Sequence, residues 1–284
     1  MDLFVPCAKS ITAVAGASKG SGKTAFLNYM LPFLRKFGPV SVLTIGSDVR
    51  GTKEASREIA LEEGDVAVTT LPLLKNSSAS FEILDIIPGR SSLGRLAAAR
   101  ARRPGTVQMI GSEHISDIKN AAETILNEGW ATSAVVDGAG SRITQTAALG
   151  GANFIYTMRI TRTNLQQSAD RLRMLDKIRS LDILPEGAET ENMRIWEGPI
   201  SSSHLKELDD VKELVIEDFT KIFLMPQEFS ALADRCHIYM LEPFQLICAS
   251  VFAENVTDAQ MLQAFGEISV PLILNPYRCH PQKA

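Results

Sequence analysis

The sequence predicts an α/β protein built on a mostly parallel, doubly wound sheet. Three observations predict it. An apolar strand, a glycine-rich loop and an amphipathic helix follow one another over residues 10–37. Strand and helix patterns then alternate through residue 179. Two apolar strands lead into carboxylates, Asp48 and Asp137, at the edge where open α/β sheets bind ligands.

Taken in order, Ser10–Gly16 reads as a short buried strand. Thr24–Phe37 places Phe26, Leu27, Met30, Leu31, Leu34 and Phe37 at helical spacing and stops at Gly38-Pro39. Val40–Gly46 is a buried second strand. Glu54–Glu63 is expected to form a short helix, and Val66–Thr70 and Phe81–Ile87 strands. Leu93–Arg102 and Thr106–Ile110 flank Arg103-Pro104-Gly105, which reads as a hairpin. Ser112–Glu128 sets Ile115, Ile118, Ala122, Ile125 and Leu126 on one helical side. Ser133–Gly138 and Phe154–Ile160 are strands, and Asn164–Arg179 is a helix. The acidic, turn-rich stretch from Pro185 marks a surface connection near 181–208. Beyond it come strands at Val211–Ile216, Ile238–Leu241, Leu246–Val251 and Val270–Leu274, with helices at Pro226–Arg235 and Asp258–Phe265. The expected organisation is a single domain over 1–284 with a hairpin insertion near 81–111. The C-terminal third either extends the same sheet or forms a small lobe.

The chemistry is concentrated in residues 17–24, Ala-Ser-Lys-Gly-Ser-Gly-Lys-Thr. They match the phosphate-binding pattern G-x-x-x-x-G-K-[ST], with Ala17 where Gly is commonest. By residue frequencies a chance match in this length is about 2 in 100, before strand and helix are required on the correct sides. Gly20 and Gly22 admit backbone conformations that a Cβ would block. Successive N–H groups then turn inward and cradle a β-phosphate, and the helix that follows adds its positive end. The nucleotide-binding stretch is therefore Ser18, Lys19, Gly20, Ser21, Gly22, Lys23, Thr24 and Ala25. Lys23 is expected to reach the β- and γ-phosphates, and the Thr24 hydroxyl to ligate Mg²⁺. The Lys19 side chain reads as solvated rather than as a phosphate contact.

Ala134-Val135-Val136-Asp137 is an apolar strand ending in an acid, the pattern of a carboxylate that orients Mg²⁺ or its waters at a triphosphate. Lys23, Asp137 and Asp48 are the candidate catalytic residues, and Thr24 and Asp137 the candidate metal ligands. For Asp48, a role at the metal and a role as a turn or N-cap residue stand level. Arg142 is equally open between a phosphate contact and a surface arginine.

The composition is that of an ordinary globular chain: 284 residues, 45% hydrophobic, 22% charged, net charge −4. No basic surplus marks a nucleic-acid partner, and Arg95, Arg100, Arg102 and Arg103 read as a solvated edge. No apolar run reaches the ~18 residues of a membrane span, and no charged-then-apolar leader opens the chain. Four cysteines without a C-x-x-C pair fit reduced thiols and a cytoplasmic setting. Arg-Cys-His occurs at 235–237 and 278–280. Adjacent residues on an extended chain point to opposite sides, so neither pair chelates well.

Together these segments resemble the P-loop reactivase subunits associated with adenosylcobalamin-dependent lysine or ornithine aminomutases. Beyond the phosphate loop, the resemblance rests on SVLTIGSD at 41–48, GDVAVTT at 64–70, FEIL at 81–84, GTVQMIG at 105–111, VVDGAGSR at 135–142, FQLICASVFAEN at 244–255 and VPLILNP at 270–276. Residues 49–52, Val-Arg-Gly-Thr, depart from it, because the family carries further acids there. The resemblance implies a three-layer P-loop NTPase fold related to dethiobiotin synthetase. Dimeric ATPases of the deviant P-loop type place a signature lysine five residues before the loop lysine, where this chain has Ser18. The implied activity is Mg²⁺-dependent ATP binding and hydrolysis that releases damaged cobalamin from a partner aminomutase. The sequence leaves the oligomeric state open, with a homodimer among the options. Two rivals stand beside it: a small-molecule kinase or ATP-dependent ligase, and a nucleotide-binding module without turnover.

Overall fold

Unbroken apolar runs make strands buried on both faces, and they order this chain. The first is β1 (Ile11–Gly16), followed by helix α1 (Lys23–Leu34), which closes through a 3₁₀ turn at Arg35–Phe37. Next come β2 (Val40–Thr44), β3 (Glu58–Leu61), β4 (Val66–Thr70), α2 (Leu71–Lys75), β5 (Ser80–Ser91), β6 (Gly94–Arg103) and β7 (Gly105–Gln108). Helix α3 (Ile115–Asn127), β8 (Ser133–Asp137) and β9 (Asn153–Ile160) complete this stretch. The computed structural model describes residues 3–18, 20–46, 58–112, 114–138 and 149–276. They fall into two compact units. Unit 1 comprises Met1–Arg159, Ile247–Phe252 and Leu272–Ala284, and unit 2 comprises Ile160–Leu246 and Ala253–Pro271.

Unit 1 is organised by a nine-stranded sheet. Its order is β17-β16-β9-β1-β8-β2-β4-β6-β5, where β16 is Leu246–Ala253 and β17 is Leu272–Leu274. β1 runs parallel to both β8 and β9, β2 parallel to β8 and β4, and β16 parallel to β17. Antiparallel pairing begins only at β6 and β5. The fold is thus α/β with a large, mostly parallel sheet.

Helix α1 buries Phe26, Leu27, Met30, Leu31 and Leu34 in one cluster with Val14, Val42, Ala67 and Val135. The period of two along a strand turns Ala13, Leu43, Ala134 and Val136 to the opposite face, and α3 packs on β2 and β8. The far end of α1 is held by Asp65, which is 1% exposed. Its carboxylate accepts from Arg35 Nε at 2.9 Å, the Val40 N–H at 3.1 Å and the Glu62 N–H at 2.9 Å. A buried charge with all these donors is satisfied. It ties the end of α1 to the start of β2 and so fixes where the start of α1 lies.

The structure departs from the sequence pattern at two places. The pattern predicts a helix over Glu54–Glu63, yet within its described part, 58–63, Glu58–Leu61 is a strand paired antiparallel with β7. Ile59 and Leu61 are buried while Ala60 is exposed, the period of a strand. Asn28 of α1 reinforces it, donating Nδ2–H to the Glu58 carbonyl and accepting the Ala60 N–H, each at 2.9 Å. The hairpin around Arg103-Pro104-Gly105 is also revised. β6 pairs with β5 through a turn at Ser92-Leu93, whereas β7 leaves to pair with β3. Gly105 permits that departure, because a Cβ there would lie 2.4 Å from the Ala79 nitrogen.

Unit 2 carries a four-stranded sheet, β10 (Asp182–Ile183), β15 (His237–Met240), β13 (Glu213–Ile216) and β11 (Arg194–Trp196), with every pair parallel. A second small pair joins β12 (Ile200–Ser201) to β14 (Ile222–Phe223). Its helices are α4 (Leu165–Arg179), α5 (Pro226–Arg235) and α6 (Asp258–Phe265). Arg173 of α4 donates to the Ala264 and Phe265 carbonyls at the end of α6, closing the last turn of that helix.

Candidate functional site

The strand order places the site. After β1 the chain continues to β2, on the far side of β8, and after β8 it continues to β9, on the far side of β1. The direction of travel therefore reverses between β1 and β8, and in open α/β sheets ligands enter beyond the carboxyl ends of two such strands. The glycine loop follows the end of β1, and Asp137 ends β8 in register with Val14.

Within the loop, Gly20 and Gly22 adopt φ +80° and +88°, the left-handed region that side chains resist. Gly20 has open space around it, so φ alone demands glycine there. Gly16 is held for room instead, because a Cβ would lie 2.0 Å from Ser21 Oγ and 3.2 Å from Lys23 Nζ. Lys23 thus folds back over the start of its own loop. Helix α1 opens at Lys23 with no acidic residue in its first turn and no side-chain cap. Its leading N–H groups and positive end face the loop, a ready anion site. Thr24 and Ala25 follow in the first turn, half-buried. Lys19, Asp48 and Arg142 lie outside the described residues.

Asp137 is the most informative side chain. Its backbone is fixed by three bonds: its carbonyl accepts the Ile45 N–H at 3.0 Å and the Thr44 hydroxyl at 3.2 Å, and the next residue, Gly138, donates its N–H to the Val14 carbonyl at 2.9 Å. Its carboxylate is different. Oδ1 is fully buried with no hydrogen-bond partner among the described residues. Burial pushes the carboxyl up from 3.8 to about 6, and the Lys23 ammonium pulls in the opposite direction. A buried carboxylate oxygen without a partner among the described residues is costly unless something binds it.

One participant escaped the sequence reading. Thr157 of β9 accepts the Ala17 N–H at its carbonyl, at 2.9 Å, and its hydroxyl lies 3.0 Å from Ser21 Oγ. A threonine in the run Phe154–Met158, whose other side chains are aromatic or aliphatic, was the available signal. Among the described residues no three His, Cys, Asp or Glu gather as a metal site, and no helix is long and apolar enough to cross a membrane. No family model, curated protein or solved structure matches the chain.

Proposed function

We propose that this protein binds a nucleoside triphosphate with Mg²⁺ at the end of β1 and hydrolyses it, on a three-layer P-loop NTPase fold. The observation that carries the reading is the pairing of a left-handed glycine turn, opening an uncapped helix at Lys23, with a buried carboxylate oxygen on the neighbouring strand that has no partner among the described residues. Backbone N–H groups of the loop and the Lys23 ammonium supply positive charge to the β- and γ-phosphates. The Thr24 hydroxyl and the Asp137 carboxylate are an all-oxygen donor set that fits Mg²⁺, which in such sites neutralises charge on the phosphates. The absence of an Asn-Lys-x-Asp guanine-reading motif favours ATP. The resemblance to reactivase subunits adds the use of the cycle: conformational work on a partner cobalamin-dependent aminomutase, in the cytoplasm.

Calorimetric titration with ATP and GTP, with and without Mg²⁺, tests the reading on the wild type and Lys23→Ala. The expected result is Mg²⁺-dependent ATP binding that the variant loses. Equal affinity in the two proteins rejects the assignment. Phosphate release in the absence of any small substrate supports the switch, and release only with one supports a kinase or ligase.

A further inference from the structure

Ser21 and Thr157 are both sealed from solvent, at 1% and 0% exposure. Their hydroxyl oxygens are 3.0 Å apart, and Thr157 Oγ1 also lies 3.3 Å from the Ala15 carbonyl. Each hydroxyl has one proton, and a carbonyl only accepts. Both contacts are made together in one arrangement only: Ser21 donates to Thr157, and Thr157 donates to Ala15. The Ser21 proton is therefore already committed within the protein.

We infer that Thr157 is a positioning residue for the phosphate loop, clamping it at Ala17 through the main chain and at Ser21 through the hydroxyl relay, so that the loop holds its anion-binding shape before any ligand arrives. This rests on the nucleotide reading above only for what the loop binds. The clamp has both ends fixed. Thr157 sits on β9, paired in register with β1 from Asn153 to Thr157. On the loop side, the Ser21 side chain fills the space that a Cβ on Gly16 would take, 2.0 Å from Ser21 Oγ. Between the two anchored positions runs the segment that contains Gly20, where the backbone is intrinsically freest. Fixing that segment in advance removes its ordering cost from the binding step. The clamp divides the labour in the loop: Ser21 shapes it, and the N–H groups and Lys23 meet the phosphates.

The test uses four full-length proteins: wild type, Thr157→Val, Thr157→Ser and Ser21→Ala. Amide hydrogen exchange without ligand is read in peptides covering 17–23 and, as a control, in α3. Mg-ATP affinity is measured alongside. The expected result is exchange about tenfold faster in the loop alone for Thr157→Val and Ser21→Ala, with affinity about tenfold weaker, the scale of one hydrogen bond. Thr157→Ser retains the hydroxyl and stays near wild type in both. Wild-type exchange in the loop of Thr157→Val overturns the clamp, and so does faster exchange throughout, α3 included, in Ser21→Ala. A wild type that binds no ATP rejects the nucleotide reading and leaves the exchange comparison to judge the clamp by itself.

Discussion

Burial raises the Asp137 carboxyl to about 6 from an ordinary 3.8, and that difference ties stability to pH. A carboxyl whose folded value is raised holds its proton better when folded. Its contribution is present below 3.8 and is lost as pH rises through about 6, where the folded protein must carry the charge in a dry place. The gap corresponds to about 3 kcal/mol against the folded state at neutral pH. Asp137→Asn is the same shape without the charge. It is expected to stabilise the ligand-free protein by up to about 3 kcal/mol above the folded value, and by nothing below 3.8. Denaturant titrations across that range check it, and a gain independent of pH would contradict it. The same variant is expected to lose the Mg²⁺ dependence of nucleotide binding, so that stability and function move in opposite directions at one residue. The Asp137 signal was legible in the sequence, as an acid ending an apolar strand. That its Oδ1 has no partner among the described residues was not, because partnership is a property of space.

Elements were legible where their period was strong and their partners near in sequence. α1, α3 and α4 announced themselves by apolar spacing, and β2, β4 and β8 by apolar runs. β3 failed because Glu58–Leu61 has no strong preference alone; its state is decided by β7, more than forty residues on, and by Asn28 of α1. Pairing of this kind overrides local propensity. The β6–β7 hairpin failed for a related reason: Pro104-Gly105 signals a turn but not which strands the turn joins. These contacts imply a measurable dependence. Asn28→Ala removes both side-chain bonds to the β3 backbone, leaving the Ala60 N–H and Glu58 carbonyl without them. The expected loss is about 1–3 kcal/mol in chemical denaturation, with exchange accelerated first in β3 and β7. An unaltered midpoint would show that water replaces Asn28 at no cost.

At the scale of the whole molecule, the two units are interleaved along the chain. The chain leaves the nine-stranded sheet after β9, returns for β16, leaves again and returns for β17. The C-terminal third does extend the first sheet, but only through these two strands, while 213–216 and 237–240 build a sheet of their own. Apolar segments read one by one predict strands equally well for either sheet, so this division was not visible in the sequence. It has a consequence for any dissection of the protein. Residues 1–159 contain the glycine loop, Lys23, Asp137 and Thr157, and by sequence position they look like a complete binding domain. Yet β9 is buried at seven of its eight residues and hydrogen-bonds to β16, which such a fragment lacks. Its N–H and C=O groups would become a long, flat, apolar edge, the kind that templates aggregation. Thr157 would then sit on an unsupported strand, and the anchor it offers to Ser21 would loosen. The fragment 1–159 is therefore expected to aggregate and to bind Mg-ATP at least about tenfold more weakly than the full chain, the cost of losing an ordered loop. Light scattering and calorimetry on the two proteins decide it. A monomeric fragment with full affinity would show that β16 and β17 are dispensable to the site, and that β9 keeps its place through β1 alone.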